Sequence, residues 1–284
     1  MKTPKRLQAL VHEGLIDTVV RQLMSGKEAN VFVVRAGGEL RCAKVYKDAT
    51  HRSFRQAALY QEGRKTKNSR EARAIGKGTR FGRKAQEEAW QSVEVDTLYR
   101  LAAAGVRVPH PYAFSQGVVI MELVVDADGH PAPRLNDVEL PPEVARTYHA
   151  ALIRQIVRML DAGVIHGDLS EYNILVDAAG PVIIDLPQAV DAAGNNNAAM
   201  MLERDADNVT AYFSQFAPEL AATHYGKEIW SLYERGVLTA DVALTGRVDA
   251  PEGPADVAAV MREIRDVEAE HEARLVYLAS LRQP

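Results

Sequence analysis

The sequence predicts an α+β protein of two lobes, a strand-rich first half followed by a helix-rich second half. Three observations predict it. "NVFVVRA" and "LRCAKVYK" are β-branched or alternating runs on either side of Gly37-Gly38, the pattern of a hairpin. "PPEVARTYHAALIRQIVRMLDAG" has proline near its start, apolar residues at helical spacing and Gly163 at its end. "ILVD" and "PVIIDL" are short apolar strands joined by a turn at Ala179-Gly180, and helical patterns follow them.

The elements can be taken in order. Residues 5–23 place Leu7, Leu10, Val11, Leu15, Ile16, Val19, Val20 and Leu23 at helical spacing, which predicts a helix interrupted at Gly14. The hairpin comes next, then a basic segment whose glycine-rich centre is "IGKGTRFG". "KAQEEAWQSVEVDTLYRLAAAG" predicts a helix ending at Gly105. "VRVPHPYAFSQGVVIMELV" gives a proline-punctuated loop and two short strands. Beyond the second strand pair the chain is predicted helical, including 254–281.

At 284 residues with 47% apolar content, the chain can bury the core of one large domain or two lobes. One cysteine, Cys42, excludes an intramolecular disulfide framework and a cysteine-rich zinc site, and it fits a reducing, cytoplasmic setting. Cys42 itself is expected to pack rather than react. No run of about 18 apolar residues predicts a membrane span, and the first residues do not read as a secretory signal. The formal net charge is −4 but unevenly spread: from Arg52 to Lys84, eleven Lys and Arg face only Glu62 and Glu71, a local net of +9. That leaves −13 on the remainder, a basic segment on an acidic body.

The chemistry concentrates in "VIHGDLSEYNILVD" and the "IIDLPQ" that follows. Phosphoryl transfer asks for positioned phosphates, a metal held by oxygen ligands and a group that orients the nucleophile. Asp168 would accept or orient the proton of a substrate hydroxyl. Asn173, five residues on, and Asp185, at the end of an apolar strand, would supply hard oxygen ligands suited to Mg²⁺, with Mn²⁺ as an alternative. His166 is expected to hold the loop rather than titrate. In the first half, "MSGKEANV" aligns to G-x-G-x-x-G-x-V with Gly26 as the one surviving glycine; Ser25, Lys27 and Glu28 complete the turn. Lys44 follows on a predicted strand. An inward lysine there needs a carboxylate partner; Glu94 is favoured, with Glu87 and Glu88 open as rivals. A P-loop is excluded, because neither Gly26-Lys27 nor Gly76-Lys77 is followed by Ser or Thr.

The order of these parts is that of a protein-kinase-like fold: a small β-rich N-lobe over 1–121 and a larger helical C-lobe over 122–284. The catalytic loop reads H-G-D where H-R-D is usual, a form shared by aminoglycoside-type small-molecule kinases and by the RIO family of atypical protein kinases. "SGKEANVFVV", "HGDLSEYNIL" and "IIDLPQAV" together resemble the RIO family, and its first subfamily most, over about residues 20–216. The resemblance implies ATP bound through Lys44 and the Ser25–Glu28 loop. It makes Met121 the gatekeeper and Glu122 and Val124 the hinge residues that hold adenine by backbone groups. It implies Asp168 as proton acceptor, and Asn173 and Asp185 as metal ligands, with Asp185 itself open to phosphorylation. Leu186-Pro187 departs from the family's usual pair, and the proline fixes the backbone there.

Three functions follow as expectations. The first is an ATP- and Mg²⁺-dependent serine/threonine protein kinase acting on a protein substrate or on itself. The second is an ATPase-type switch in ribosome or other RNA–protein particle maturation, which the resemblance implies and the basic segment 52–84 fits. The third is a small-molecule kinase of the aminoglycoside type. The oligomeric state is left open.

Overall fold

The computed structural model describes residues 4–26, 29–47 and 93–247. The basic segment, Lys27, Glu28, the rival carboxylates Glu87 and Glu88, the start of the helix predicted from Lys84 and the predicted 254–281 helix all lie outside the described residues. The described residues fall within one unit that closes at Arg247.

Helix α1 spans Lys5–His12 and strand β1 spans Thr18–Ser25. The single interrupted helix expected over 5–23 is therefore corrected: only its first part is helical. The β-branched Thr18-Val19-Val20 run pairs antiparallel with β2 (Ala29–Ala36), where ladder hydrogen bonds override an accidental helical spacing. Strand β2 turns at Gly37-Gly38 into β3 (Glu39–Tyr46), as expected. Both glycines have positive φ, 60° and 83°, the requirement of a tight primed hairpin turn. After helix α2, described over 93–103, strands β4 (Pro111–Ser115) and β5 (Val118–Glu122) complete an antiparallel sheet in the order β1-β2-β3-β5-β4.

The pleat of this sheet decides where the chemistry points. Phe32, Val34, Ala43, Val45, Val118 and Ile120 face α1, closing a small core on the fully buried Leu7 and Leu10. Each such leucine contributes roughly 1.5–3 kcal/mol by burial. Cys42, Lys44 and Tyr46 alternate to the opposite face, toward α2. Cys42 is buried beside Lys44; burial pushes its thiol up to about 12, so it is an unreactive packing residue.

The helical part is built on α3 (Pro142–Asp161), β6 (Val164–Ile165), the hairpin of β7 (Ile174–Asp177) and β8 (Gly180–Ile183), β9 (Val190–Asp191), α4 (Ala198–Phe213) and α5 (Tyr225–Glu234). A second, larger core fills it: Leu152, Ile156 and Leu160 of α3 meet Met201, Leu202 and Val209 of α4. This core also takes in Val95, Leu98 and Leu101 of α2 and Val119 of β5. The two-lobe α+β architecture is thus present, and α2 belongs by packing to the larger core.

Within that core His149 is buried, bonded to Thr210 at 3.0 Å and edged by the rings of Phe213 and Tyr225. Burial lowers its pKa to about 4. The unfolded chain therefore takes up a proton at His149 below its ordinary value near 6.5, and the folded chain resists it down to about 4. Stability is full above that upper value and falls as pH drops through this window, by about 3 kcal/mol from this residue. Denaturant midpoints of wild type and His149→Gln between pH 7 and 4 check this; the variant should lack the His149 share of the loss.

Candidate active site

Strand β3 and helix α2 bring the first pair together. Lys44 Nζ donates to Glu94 Oε1 at 2.5 Å, which selects Glu94 as the lysine's carboxylate. The lysine donates at the same time to Asp185 Oδ1 at 2.7 Å, from the residue that follows β8 and Ile184. Burial pulls the Lys44 pKa down, but Glu94 and Asp185 outweigh it and hold the ammonium well above its ordinary value. Lys44 in turn holds the Asp185 carboxyl below the usual range, so it is ionised. Asp185 has φ 67°, a left-handed conformation that costs a non-glycine residue about 1–2 kcal/mol. Tyr46 lies beside the pair and is buried; burial and the neighbouring Glu94 charge keep its hydroxyl protonated. Met121, Leu98 and Leu186 line the apolar cavity around Lys44 and Glu94.

The second group comes from the loop between β6 and β7. His166 is buried; its Nδ1 accepts the Asp168 N–H at 3.3 Å, so Nε2 carries the proton and donates to the Ile184 carbonyl at 3.1 Å. One imidazole thereby ties the Asp168 loop to the strand end that carries Asp185. Gly167 has φ 82°, a backbone geometry that an arginine would strain, which gives the missing Arg a local reason. Asp168 is exposed, and desolvation raises its pKa against the opposing charge of Arg204. Asn173 donates its amide N–H to the Asp168 carbonyl at 2.9 Å, which commits the nitrogen and leaves Oδ1 as the atom that could meet a cation. An amide oxygen at Asn173 and an ionised carboxylate at Asp185 form the kind of hard donor set that suits Mg²⁺.

Helix α4 supplies what the sequence did not disclose. Asp205, buried at 2% exposure, accepts the Gly167 N–H at 2.7 Å and the Leu169 N–H at 3.0 Å. Arg204 donates to the Gly167 carbonyl, and Asn208 to the Leu169 carbonyl at 3.1 Å. Three side chains of one helix therefore fix the backbone on both sides of Asp168. The signal available was "LERDADNV": polar residues at i, i+1 and i+4 set among the apolar positions of a core helix.

Ser25 donates to Asn30 Oδ1 at 2.9 Å, and Gly26 closes the turn through Gly26 N to Ala29 O at 2.9 Å, with Lys47 Nζ on its carbonyl at 2.5 Å. Glu122 turns its side chain away into an ion pair: Arg107 meets it at 2.7 and 2.8 Å and also reaches Asp177 of β7 at 2.6 Å. This strut ties the end of β5 to the helical part. The Val124 carbonyl accepts from the Ala132 N–H at 3.0 Å. Lys27 and Glu28 lie outside the described residues.

A five-stranded sheet bearing a Glu-paired lysine, stacked on helices that present an Asp–Asn loop and a strand-end Asp, defines a protein-kinase-like class. The comparisons narrow the class: a RIO domain family model matches residues 30–225, and the chain belongs to that family. It is 37% identical over 205 residues to the RIO-type serine/threonine-protein kinase Rio1 of Haloferax volcanii, covering 72% of this chain and 66% of that protein. It is 32% identical to the namesake of Methanocaldococcus jannaschii (66% of this chain, 60% of that one) and 31% identical to the human serine/threonine-protein kinase RIO1 (75% and 36%). The chain thus spans from about a third to two thirds of the length of these relatives.

Proposed function

We propose that this chain is an ATP- and Mg²⁺-dependent serine/threonine protein kinase that phosphorylates a protein substrate, itself included. The carrying observation is Lys44 held at once by Glu94 and Asp185, directly beside a loop that fixes Asp168 and Asn173. Lys44, Ser25, Gly26, Lys27, Glu28, Met121, Glu122 and Val124 form the nucleotide side, with the hinge at Glu122 as the boundary between lobes 1–121 and 122–284. Asn173 and Asp185 would hold the metal, which would supply positive charge against the phosphate oxygens. Asp168 takes the proton of the acceptor hydroxyl as that oxygen bonds to the γ-phosphorus and ADP leaves. Its exposure and raised pKa suit a base. The names of the relatives, all serine/threonine-protein kinases, support the acceptor class. Among the described residues no helix is long and apolar enough to cross a membrane, and a cytoplasmic site of action is part of the proposal.

The experiment is a turnover screen with Mg²⁺-ATP, comparing generic protein acceptors and the chain itself with aminoglycosides and other small alcohols. Transfer to protein without transfer to alcohols is the expected result; the reverse would establish the small-molecule kinase instead. A second reading, a nucleotide-driven switch on an RNA–protein particle, is favoured by the +9 segment 52–84. RNA affinity that falls steeply with salt and is lost on deleting 64–84 would support it.

A further inference from the structure

The "IIDLPQ" motif carries one polar residue that the account above leaves without work, Gln188. Its Nε2 donates to Asp168 Oδ2 at 3.0 Å, across 20 residues of chain. The backbone that aims it is a turn, closed by Ala189 N to Leu186 O at 3.1 Å and stiffened by the buried Pro187. Leu186 is itself buried in the larger core, so the turn is anchored on its N-terminal side.

We propose that Gln188 is a positioning residue for phosphoryl transfer: it fixes the plane of the Asp168 carboxylate by engaging Oδ2 and presents Oδ1 to the acceptor hydroxyl. A carboxylate held only by its Cα would rotate about two bonds, and the loop contacts from Asp205, Asn208 and His166 restrain its backbone but not those rotations. A neutral amide suits the task better than a cation, because it orients the carboxylate without pairing its charge and so preserves its capacity to accept a proton. The departure at Leu186-Pro187 acquires a purpose: a stiff turn keeps Gln188 in reach of Asp168 while the neighbouring Asp185 stays with Lys44. The proposal rests on the assignment of Asp168 as the proton acceptor.

The test uses the full chain with Mg²⁺-ATP and follows ADP release and self-phosphorylation in Gln188→Met, Asp168→Asn and the double variant. Methionine keeps the length and unbranched shape of glutamine but cannot donate. Gln188→Met is expected to lower kcat roughly 10–100-fold, to leave KM for ATP within about twofold, and to leave the thermal midpoint in place. In the Asp168→Asn background the same change should add nothing, because its effect passes through the carboxylate. Wild-type kcat for Gln188→Met, a rise in KM alone, or an equal further loss in the double variant would overturn the inference. If Asp168→Asn itself keeps full turnover, the assignment of the base fails instead, and the two failures are thereby distinguished.

Discussion

Asp168→Asn should lower phosphoryl-transfer turnover roughly 10²–10⁴-fold, the usual contribution of a positioned general base. The substitution is nearly isosteric, and the loop around it is held by groups that do not involve the Asp168 side chain: Asp205 on two backbone N–H groups, Asn208 and Arg204 on carbonyls, and His166 on the Asp168 N–H. The fold should survive and the thermal midpoint should stay within a few degrees, with Gln188 able to bond the new amide oxygen. Steady-state ADP release at saturating Mg²⁺-ATP reads the effect. KM for ATP should change little, because the role proposed for Asp168 is at the acceptor hydroxyl and not at the nucleotide.

Lys44→Met should have the other large effect, on stability and turnover together. Lys44 and Glu94 side chains are only 14% and 7% exposed. Removing the lysine strands a buried carboxylate, a loss of about 3–5 kcal/mol for a broken buried pair. Asp185, at 45% side-chain exposure, relaxes toward water and adds little. Converting both partners, Lys44→Met with Glu94→Leu, should recover most of the stability while turnover stays lost, since the proposed phosphate contact is removed in both. Urea midpoints and ADP release on the single and double variants separate the two effects. A single variant as stable as wild type would show that Glu94 is not committed to Lys44.

The difference between these two predictions mirrors what the sequence could disclose. The places of Lys44, Asp168, Asn173 and Asp185 in the fold could be read because each sits in a short run whose local pattern fixes it: a strand beside a hairpin turn, a glycine-bearing loop, a strand end. The hairpin at Gly37-Gly38 and helix α3 were legible for the same reason, since turn chemistry and apolar period are local properties. Strand β1 was not, because Val19, Val20 and Leu23 fit a helical period and only pairing with β2 decides between the two. The Glu94 partner could be narrowed but not selected from Glu87 and Glu88, since the helical face that meets β3 depends on packing across 50 residues. Asp205 was hidden by distance: its contacts with Gly167 and Leu169 span 38 and 36 residues, and a lone aspartate in a helix carries no signal of its partner. Arg107 was hidden likewise, as its strut joins residues 15 and 70 positions away. It also changes the meaning of Glu122, whose side chain serves the architecture while its backbone remains at the proposed hinge.

The most direct test of the central claim is incubation of wild type and Asp168→Asn with γ-labelled ATP and Mg²⁺, followed by chemical characterisation of the labelled protein. The account predicts label on wild type that survives acid and hydroxylamine, as a phosphoserine or phosphothreonine does, and strongly reduced label on Asp168→Asn. Equal labelling of the two proteins, or label lost to hydroxylamine as from an aspartyl phosphate on Asp185, would contradict hydroxyl phosphorylation through Asp168.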